Sequence, residues 1–175
     1  YQRADGSWQN ILSSPDDLYT LYQSYTRHIN KSVSPELKHI TDSLTKGKKT
    51  EADKASAIYK WAQHQIKYVA FEDGMEGFIP RDANLVCARR YGDCKDFSSI
   101  LTTMLRHAGL KAYYTWIGTR SLPYTYQETP TPVVDNHMIC ALELDGKFIF
   151  LDGTDQTCAF GWASEGIQGK ELIRL

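Results

Sequence analysis

A cysteine stands at the start of an amphipathic segment in YGDCKDFSSILTTMLRHAGL, residues 91–110. From Cys94 onward, apolar residues recur at spacings of three and four, which predicts a helix with one buried face. Asp93 or Gly92 is the expected N-cap, so Cys94 falls in the first helical turn. Unpaired backbone N–H groups and the helix dipole favour an anion there, which suits a thiolate nucleophile. The alternative interpretation is a small apolar residue at the start of the buried stripe.

A histidine and an aspartate that can serve this cysteine lie in NHMICALELDGKFIFLDGT, residues 136–154. Asp145-Gly146 is the strongest two-residue signal for a tight β-hairpin. The register set by that turn places His137 and Asp152 on one face as diagonal neighbours, roughly 7–8 Å apart at Cα. An imidazole and a carboxylate can meet across that distance, so the hairpin predicts an orienting acceptor for the histidine. A slip of one residue would put the two side chains on opposite faces.

A thiol, an imidazole and a carboxylate in this relation can carry out acyl transfer on an amide. Cys94 would attack the carbonyl carbon, His137 would hold the thiolate as an ion pair and later protonate the leaving amine, and Asp152 would fix the imidazole tautomer. A competing constellation is a zinc site formed by Cys87, Cys94, His137 and Cys140. Its C-x6-C and H-x2-C spacings are not those of structural zinc. We therefore expect neither a metal nor another cofactor.

The elements that must position these residues are helices first and strands afterwards. Capping signals predict helices near 15–29, 35–46 and from 51, then an extended segment or short strand at 66–72 and a short helix at 83–90. Beyond residue 112 the apolar pattern alternates, which predicts strands at 112–118, 137–144 and 147–152. This segregation favours an α+β fold with an antiparallel sheet.

Length and composition bound the class of protein. The 175 residues, 42% of them apolar, suffice for one domain with a sizeable core, and we expect a single domain over residues 1–175. A formal net charge of -1 with scattered Lys and Arg provides no basic surface for nucleic acid. No run of about 18 apolar residues is present, so we expect no membrane span. The four cysteines, at 87, 94, 140 and 158, could form two disulfides, but their spacing matches no compact disulfide framework, so the sequence leaves disulfide formation open.

Three short motifs resemble those of the transglutaminase-like superfamily, which also includes bacterial cysteine peptidases and peptide N-glycanases. They are GDCKD (92–96) before a helix, NH (136–137) at a strand start and LDGT (151–154) at the end of the next strand. The similarity extends over about residues 58–175 and includes PR (80–81) and IQGK (167–170). The third motif departs from the Asp-Pro-Thr that is frequent in the superfamily, because Gly153 replaces the proline.

The resemblance implies a papain-like α+β fold with Cys94 as nucleophile at the start of the central helix, His137 as base and Asp152 as orienting acid. The oxyanion hole would use the backbone N–H of Cys94 and a side-chain donor further upstream, for which Tyr68 is the candidate. A core aromatic is the other interpretation of Tyr68. The implied activity is cysteine-dependent acyl transfer, through a thioester, on a protein or peptide substrate.

Three functions remain open from the residues. If water resolves the thioester, the protein is a peptidase or amidase; if an amine does, it is a cross-linking transglutaminase. Water needs no dedicated site and compact bacterial relatives are generally hydrolases, so we expect hydrolysis. The alternative from another class is a non-catalytic interaction module that keeps the fold. The presence of all three catalytic residue types argues against it.

The origin of the chain is a further expectation. Because it opens at Tyr1 without an initiator methionine, we expect a fragment of a longer protein with flanking domains. We also expect the parent protein to be extracytoplasmic, either in a bacterial cell envelope or secreted, with a signal peptide outside this sequence.

Overall fold

The computed structural model describes residues 2, 4–8, 12–70 and 72–175. Three helices come first: α1 (Pro15–Thr26), α2 (Pro35–Thr45) and α3 (Glu51–Gln65). Each begins after a hydroxyl residue whose side chain accepts a backbone N–H of the first turn, namely Ser14, Ser34 and Thr50. The three predicted helices are confirmed, with α1 ending at Thr26 rather than near residue 29.

The segment between α3 and the central helix contains less strand than predicted. Strand β1 covers only Lys67–Tyr68 and pairs in parallel with β2 (Tyr91–Gly92). The ladder stops there because the residue after β2, Asp93, is already the N-cap of the next helix. Within the predicted 66–72 stretch, residue 71 lies outside the described residues. The predicted short helix is present as α4 (Ala83–Arg89).

The central helix α5 (Cys94–His107) is buried along its first twelve residues, Cys94 to Leu105. It packs against α3 and α4 on one side and against the sheet on the other. Gly109, with a φ of 84°, then reverses the chain in the left-handed region that glycine adopts readily. None of the helices in the described ranges is long and apolar enough to cross a bilayer.

The sheet has four antiparallel strands in the order β5-β4-β3-β6. They are β3 (Lys111–Ile117), β4 (His137–Leu144), β5 (Lys147–Leu151) and β6 (Leu172–Arg174). Asp145 and Gly146 both have positive φ, 49° and 72°, as a tight two-residue hairpin turn requires. Leu144 therefore pairs with Lys147, and the predicted register is confirmed. Strand β6, which was not predicted, adds to the free edge of β3.

The sheet carries apolar clusters on both faces. Cys140 is 0% exposed and its sulfur lies 3.4 Å from the Thr102 hydroxyl of α5, in the main core between helices and sheet. The neighbouring Ile139 points to the other face and packs with Ile117 and Ile167. Because side chains alternate along β4, His137 projects on the face opposite to Cys140. The predicted core role of Cys140 is confirmed.

Replacement of Cys140 by alanine should lower stability without touching the chemistry. The substitution removes one buried sulfur from the α5–sheet contact, which should reduce the free energy of unfolding by about 1 kcal/mol. Urea unfolding checks the loss, and iodoacetamide labelling of Cys94 should be unchanged in the variant. An unchanged unfolding midpoint would contradict this packing role.

Candidate active site

The first turn of α5 is held by a capping box. Oδ1 of Asp93 accepts the N–H groups of Lys95 at 2.9 Å and Asp96 at 3.3 Å, while Asp96 Oδ2 accepts the N–H of Asp93 at 3.0 Å. Among the described residues, the N–H of Cys94 has no acceptor. The thiol of Cys94 therefore lies beside a free backbone donor, and the residue is 5% exposed.

Four charged side chains form a buried network beneath this turn. Lys95 Nζ lies 2.7 Å from Asp93 Oδ2, and Arg81 Nη1 lies 2.7 Å from Asp96 Oδ2. The backbone N–H of Arg81 also donates to Asp96 Oδ1 at 2.9 Å, and its guanidinium pairs with Glu76 at the surface. Burial raises the pKa of Asp93, and the hydrogen bond from Lys95 opposes that rise. Each buried carboxylate is paired with a cation, and this pairing offsets the free-energy cost of removing the charges from water.

Two glycines of the sequence motifs allow close approach to α5. A Cβ on Gly92 would lie 2.4 Å from the Cβ of Asp96, and one on Gly153 would lie 2.7 Å from Cδ1 of Phe97 and 3.1 Å from Cδ1 of Leu101. Neither position has room for a side chain unless its neighbours shift. Gly153, where the chain departs from the frequent Asp-Pro-Thr, thus seats the end of the hairpin directly on α5.

The hairpin brings an imidazole and a carboxylate together. His137 Nε2 lies 2.9 Å from Asp152 Oδ2, so the contact predicted from the register is present. The Cys94 side chain lies close enough to His137 to contribute to the raised pKa of the imidazole. Since Nε2 is taken by Asp152, Nδ1 is the ring nitrogen left for the sulfur. The structure thus assembles Cys94, His137 and Asp152 in one place; their catalytic roles stay a prediction.

The charge states of His137 and Asp152 depend on the groups that surround them. Burial alone would lower the pKa of His137, but the hydrogen bonds and charges of Asp152 and Cys94 outweigh it and raise that pKa to about 10. Burial would raise the pKa of Asp152, but the hydrogen bond and charge of His137 lower it. The imidazolium and the carboxylate are therefore both favoured at neutral pH.

Two hydroxyl residues complete the surroundings of the carboxylate. Asp152 Oδ1 accepts the N–H of Thr154 at 3.2 Å and its hydroxyl at 2.7 Å, and Oδ2 accepts the hydroxyl of Ser164 at 2.8 Å. Sequence reasoning missed both partners. The Asp-x-Thr pattern is a local turn signal from which Thr154 could have been inferred. No local sequence pattern predicts the contact of Ser164 with Asp152, because Ser164 lies in an irregular segment further along the chain.

Tyr68 lies at the edge of the site. It pairs with Gly92 across β1 and β2, and its ring centroid is 6.4 Å from that of Phe97. Tyr68 is 46% exposed, so its interpretation as a core aromatic is wrong. Partial burial and the charges of Cys94 and Asp93 raise its pKa to about 12. The phenol therefore stays neutral and keeps its O–H as a donor.

The cysteines do not assemble a metal site. Cys87 lies in the core with α4, and Cys140 lies between α5 and the sheet. Across the part of the chain that the structure describes, no three His, Cys, Asp or Glu side chains group as metal ligands. All four cysteines have free thiols.

The architecture defines a class of proteins in which a cysteine at the start of a buried helix faces a histidine and a carboxylate on an adjoining sheet. Residues 38–152 match the family model of the transglutaminase-like superfamily, and the chain belongs to that superfamily. The fold is accordingly the predicted transglutaminase-like α+β core. A comparison with curated proteins finds no match.

The solved structures that share the fold include the following three. A proposed protease from Parabacteroides distasonis superposes with a TM-score of 0.63 at 18% identity, over 79% of this chain and 26% of that one. A proposed cysteine protease from Cytophaga hutchinsonii gives 0.56 at 18% identity, over 79% and 41%. EGTA-treated LapG of Legionella pneumophila gives 0.53 at 16% identity, over 94% and 82%. The chain thus spans less than half the length of the first two proteins.

His137 should titrate far above a free histidine. Its pKa of about 10 should fall in Asp152→Asn and in Cys94→Ala, because each change removes a group that stabilises the imidazolium. A pKa raised by folding stabilises the native state fully below the unfolded value of about 6.5, and that contribution is lost as pH rises through about 10. NMR of ¹³C-labelled histidine measures both effects. A wild-type pKa at or below 6.5 would contradict the arrangement.

Proposed function

We propose that the protein is a cysteine hydrolase that cleaves peptide or amide bonds through a thioester on Cys94. The observation that carries the proposal is the 2.9 Å bond between His137 and Asp152 beside Cys94, which begins a buried helix and contributes to the raised pKa of His137. Membership of the transglutaminase-like superfamily and the fold shared with two proposed proteases agree with it. A protein or peptide substrate and an extracytoplasmic location belong to the proposal and stay predictions.

Acylation follows from the geometry. The Cys94 thiolate donates an electron pair to the carbonyl carbon, and the C=O π pair moves to oxygen. As this intermediate collapses, a C–S thioester remains and the C–N bond breaks. The leaving nitrogen takes a proton from the His137 imidazolium, so an amine departs and the imidazole becomes neutral.

Deacylation uses the neutral imidazole as a base. His137 takes a proton from water, whose oxygen attacks the thioester carbon. Collapse of the second intermediate breaks the C–S bond, releases a carboxylic acid and restores the thiolate–imidazolium pair. Asp152 keeps Nε2 of His137 protonated throughout, and Nδ1 therefore always faces the sulfur.

Two donors can stabilise the oxyanion in both intermediates. The Cys94 N–H has no acceptor within the described residues and lies at the positive end of α5. The Tyr68 phenol is the proposed second donor, because it stays protonated and the charge of Cys94 contributes to its raised pKa. These roles match those predicted from the family resemblance.

Alkylation of Cys94 tests the nucleophile without a known substrate. Iodoacetamide should label Cys94 selectively near neutral pH, because the neighbouring imidazolium stabilises the thiolate. His137→Gln should abolish that selectivity, whereas the buried Cys87 and Cys140 should react slowly in both proteins. Peptide mapping by mass spectrometry reads the result. Uniform slow labelling of the folded wild type would favour the non-catalytic interaction module.

A chromogenic ester separates hydrolysis from transamidation. With p-nitrophenyl acetate, we expect acetylation of Cys94 followed by release of acetate, with little product diverted to an added primary amine. Cys94→Ala should lose turnover while its melting temperature stays near that of the wild type. Predominant transfer to the amine would assign a cross-linking transglutaminase instead. Full turnover in Cys94→Ala would exclude both enzymes.

Tyr68→Phe tests the oxyanion donor. The variant keeps the ring against Phe97 but loses the hydroxyl, so the turnover number for the same ester should fall by about a hundredfold. Alkylation of Cys94 by iodoacetamide forms no oxyanion and should change little. A matched control is Tyr124→Phe, which removes the hydroxyl of another exposed tyrosine. Equal turnover in Tyr68→Phe and the wild type would remove Tyr68 from the mechanism.

A further inference from the structure

Ser164 reaches the carboxylate from outside the sequence motifs. It follows β5 after an irregular segment and is the N-cap of a short 3₁₀ turn, Glu165–Ile167. A serine at such a position commonly uses its hydroxyl to accept a backbone N–H of the turn. Here the side chain makes no capping bond. The hydroxyl instead donates to Asp152 Oδ2 at 2.8 Å, and Ser164 is 8% exposed.

The hydroxyl acts on the same oxygen as the histidine. Asp152 Oδ2 accepts hydrogen bonds from His137 Nε2 at 2.9 Å and from Ser164 Oγ at 2.8 Å. Both hydrogen bonds from Thr154 go to the other carboxylate oxygen, Oδ1. Each oxygen of the carboxylate thus has two donors. With all four in place, the carboxylate is satisfied without water, and its rotation about the Cβ–Cγ bond is restricted.

Hydrogen bonds from helix α3 hold the start of the segment between Asp152 and Ser164. The Tyr59 hydroxyl donates to the carbonyl of Asp152 at 2.9 Å and to that of Cys158 at 3.3 Å. The Gln63 amide donates to the carbonyls of Asp155 at 2.6 Å and Cys158 at 3.0 Å. These bonds attach the chain between the carboxylate and the serine to the helical layer. The first half of the segment that leads to Ser164 is thus held by the fold, and the bond to Asp152 holds its end.

We infer that Ser164 is a positioning residue for the acid of the proposed triad, holding Asp152 ionised and aimed at His137. The inference rests on the proposed function, and it adds a fourth side chain that the sequence motifs do not contain. Among the described residues, Ser164 forms no hydrogen bond with Cys94 or His137, so its proposed effect passes through Asp152. Hydrogen bonds to a carboxylate favour its charged form, so loss of the hydroxyl should make the carboxylate easier to protonate.

The effect has a direction that can be measured. The pKa of Asp152 is lowered in the folded protein, and the Ser164 hydroxyl contributes to that lowering. In Ser164→Ala the carboxylate should take up a proton at higher pH, and a neutral Asp152 no longer supports the imidazolium. Other titratable side chains that interact with Asp152 are His137 on β4, Tyr68 on β1, Tyr59 on α3 and Cys158.

The experiment follows Cys94 alkylation by iodoacetamide from pH 3.5 to 9 in the intact chain, with ¹³C NMR of Asp152 as a second readout. For Ser164→Ala we expect the acid limb of alkylation to move up by about one pH unit, or about tenfold in rate on that limb. Ser164→Thr keeps the hydroxyl and should restore the wild-type limb. Thr157→Val is the matched control, since it removes a hydroxyl of the same segment that bonds Asp155 instead.

The outcomes separate this inference from the proposed function. If wild-type Cys94 shows no selective alkylation, the proposed function fails and the serine has no reaction to serve. If wild-type Cys94 is activated but Ser164→Ala keeps the same acid limb and the same Asp152 pKa, the proposed function stands and the positioning role is wrong. A lower melting temperature with an unmoved limb also overturns it, because the serine is then structural. Should Ser164→Ala not fold, Ser164→Cys provides a weaker donor of similar size, and its limb should move part of the way.

Discussion

The paired charges under the first turn of α5 are the interaction on which the site depends. Helix α5 is buried along most of its length, and its first turn contains charged groups inside the protein. Asp93 and Asp96 cap the helix from inside the protein, and Lys95 and Arg81 neutralise them. Removing either cation would leave an unpaired negative charge buried away from water, which is strongly destabilising. The network therefore fixes the helix start and, with it, the position of Cys94.

The rest of the site is organised around that fixed point by the contact between two layers. The hairpin supplies His137 and Asp152, and Gly153 lets its end rest on Phe97 of α5. Tyr59 of α3 also bonds the backbone of Asp152. Cys94 belongs to the helical layer, whereas His137 and Asp152 belong to the hairpin of the sheet. Contacts between the two layers thus hold these three residues together, as the proposed acyl transfer would require.

Most of the fold and the core of the site follow from local signals in the sequence. Ser14, Ser34 and Thr50 cap their helices through neighbours three residues away, so short-range patterns suffice. The His137–Asp152 contact was also predictable, because one two-residue turn sets the register of the whole hairpin. Cys94 at a helix start and the hairpin with His137 and Asp152 both appear where the motifs indicated, and the role of Cys94 as nucleophile stays a prediction.

What could not be predicted depends on distant segments. Strand β6 has three residues, too few for an alternating pattern, and it forms only because β3 offers a free edge. Ser164 meets Asp152 through a segment whose path is set by Tyr59 and Gln63 of α3. Tyr68 is likewise placed by the pairing of β1 with the distant strand β2, in which it lies opposite Gly92. In each case the position of the residue depends on a contact between distant segments, which no local sequence pattern predicts.

The low exposure of Cys94 bears on what the proposed hydrolase would cleave. Only 5% of Cys94 is exposed, whereas Tyr68 is 46% exposed. If Cys94 is the nucleophile, a single extended backbone would reach the sulfur more readily than the surface of a compact domain would. Linkers, chain ends and unfolded stretches would then be the favoured substrates, and compact neighbours, including other copies of this chain, would be spared because of their width.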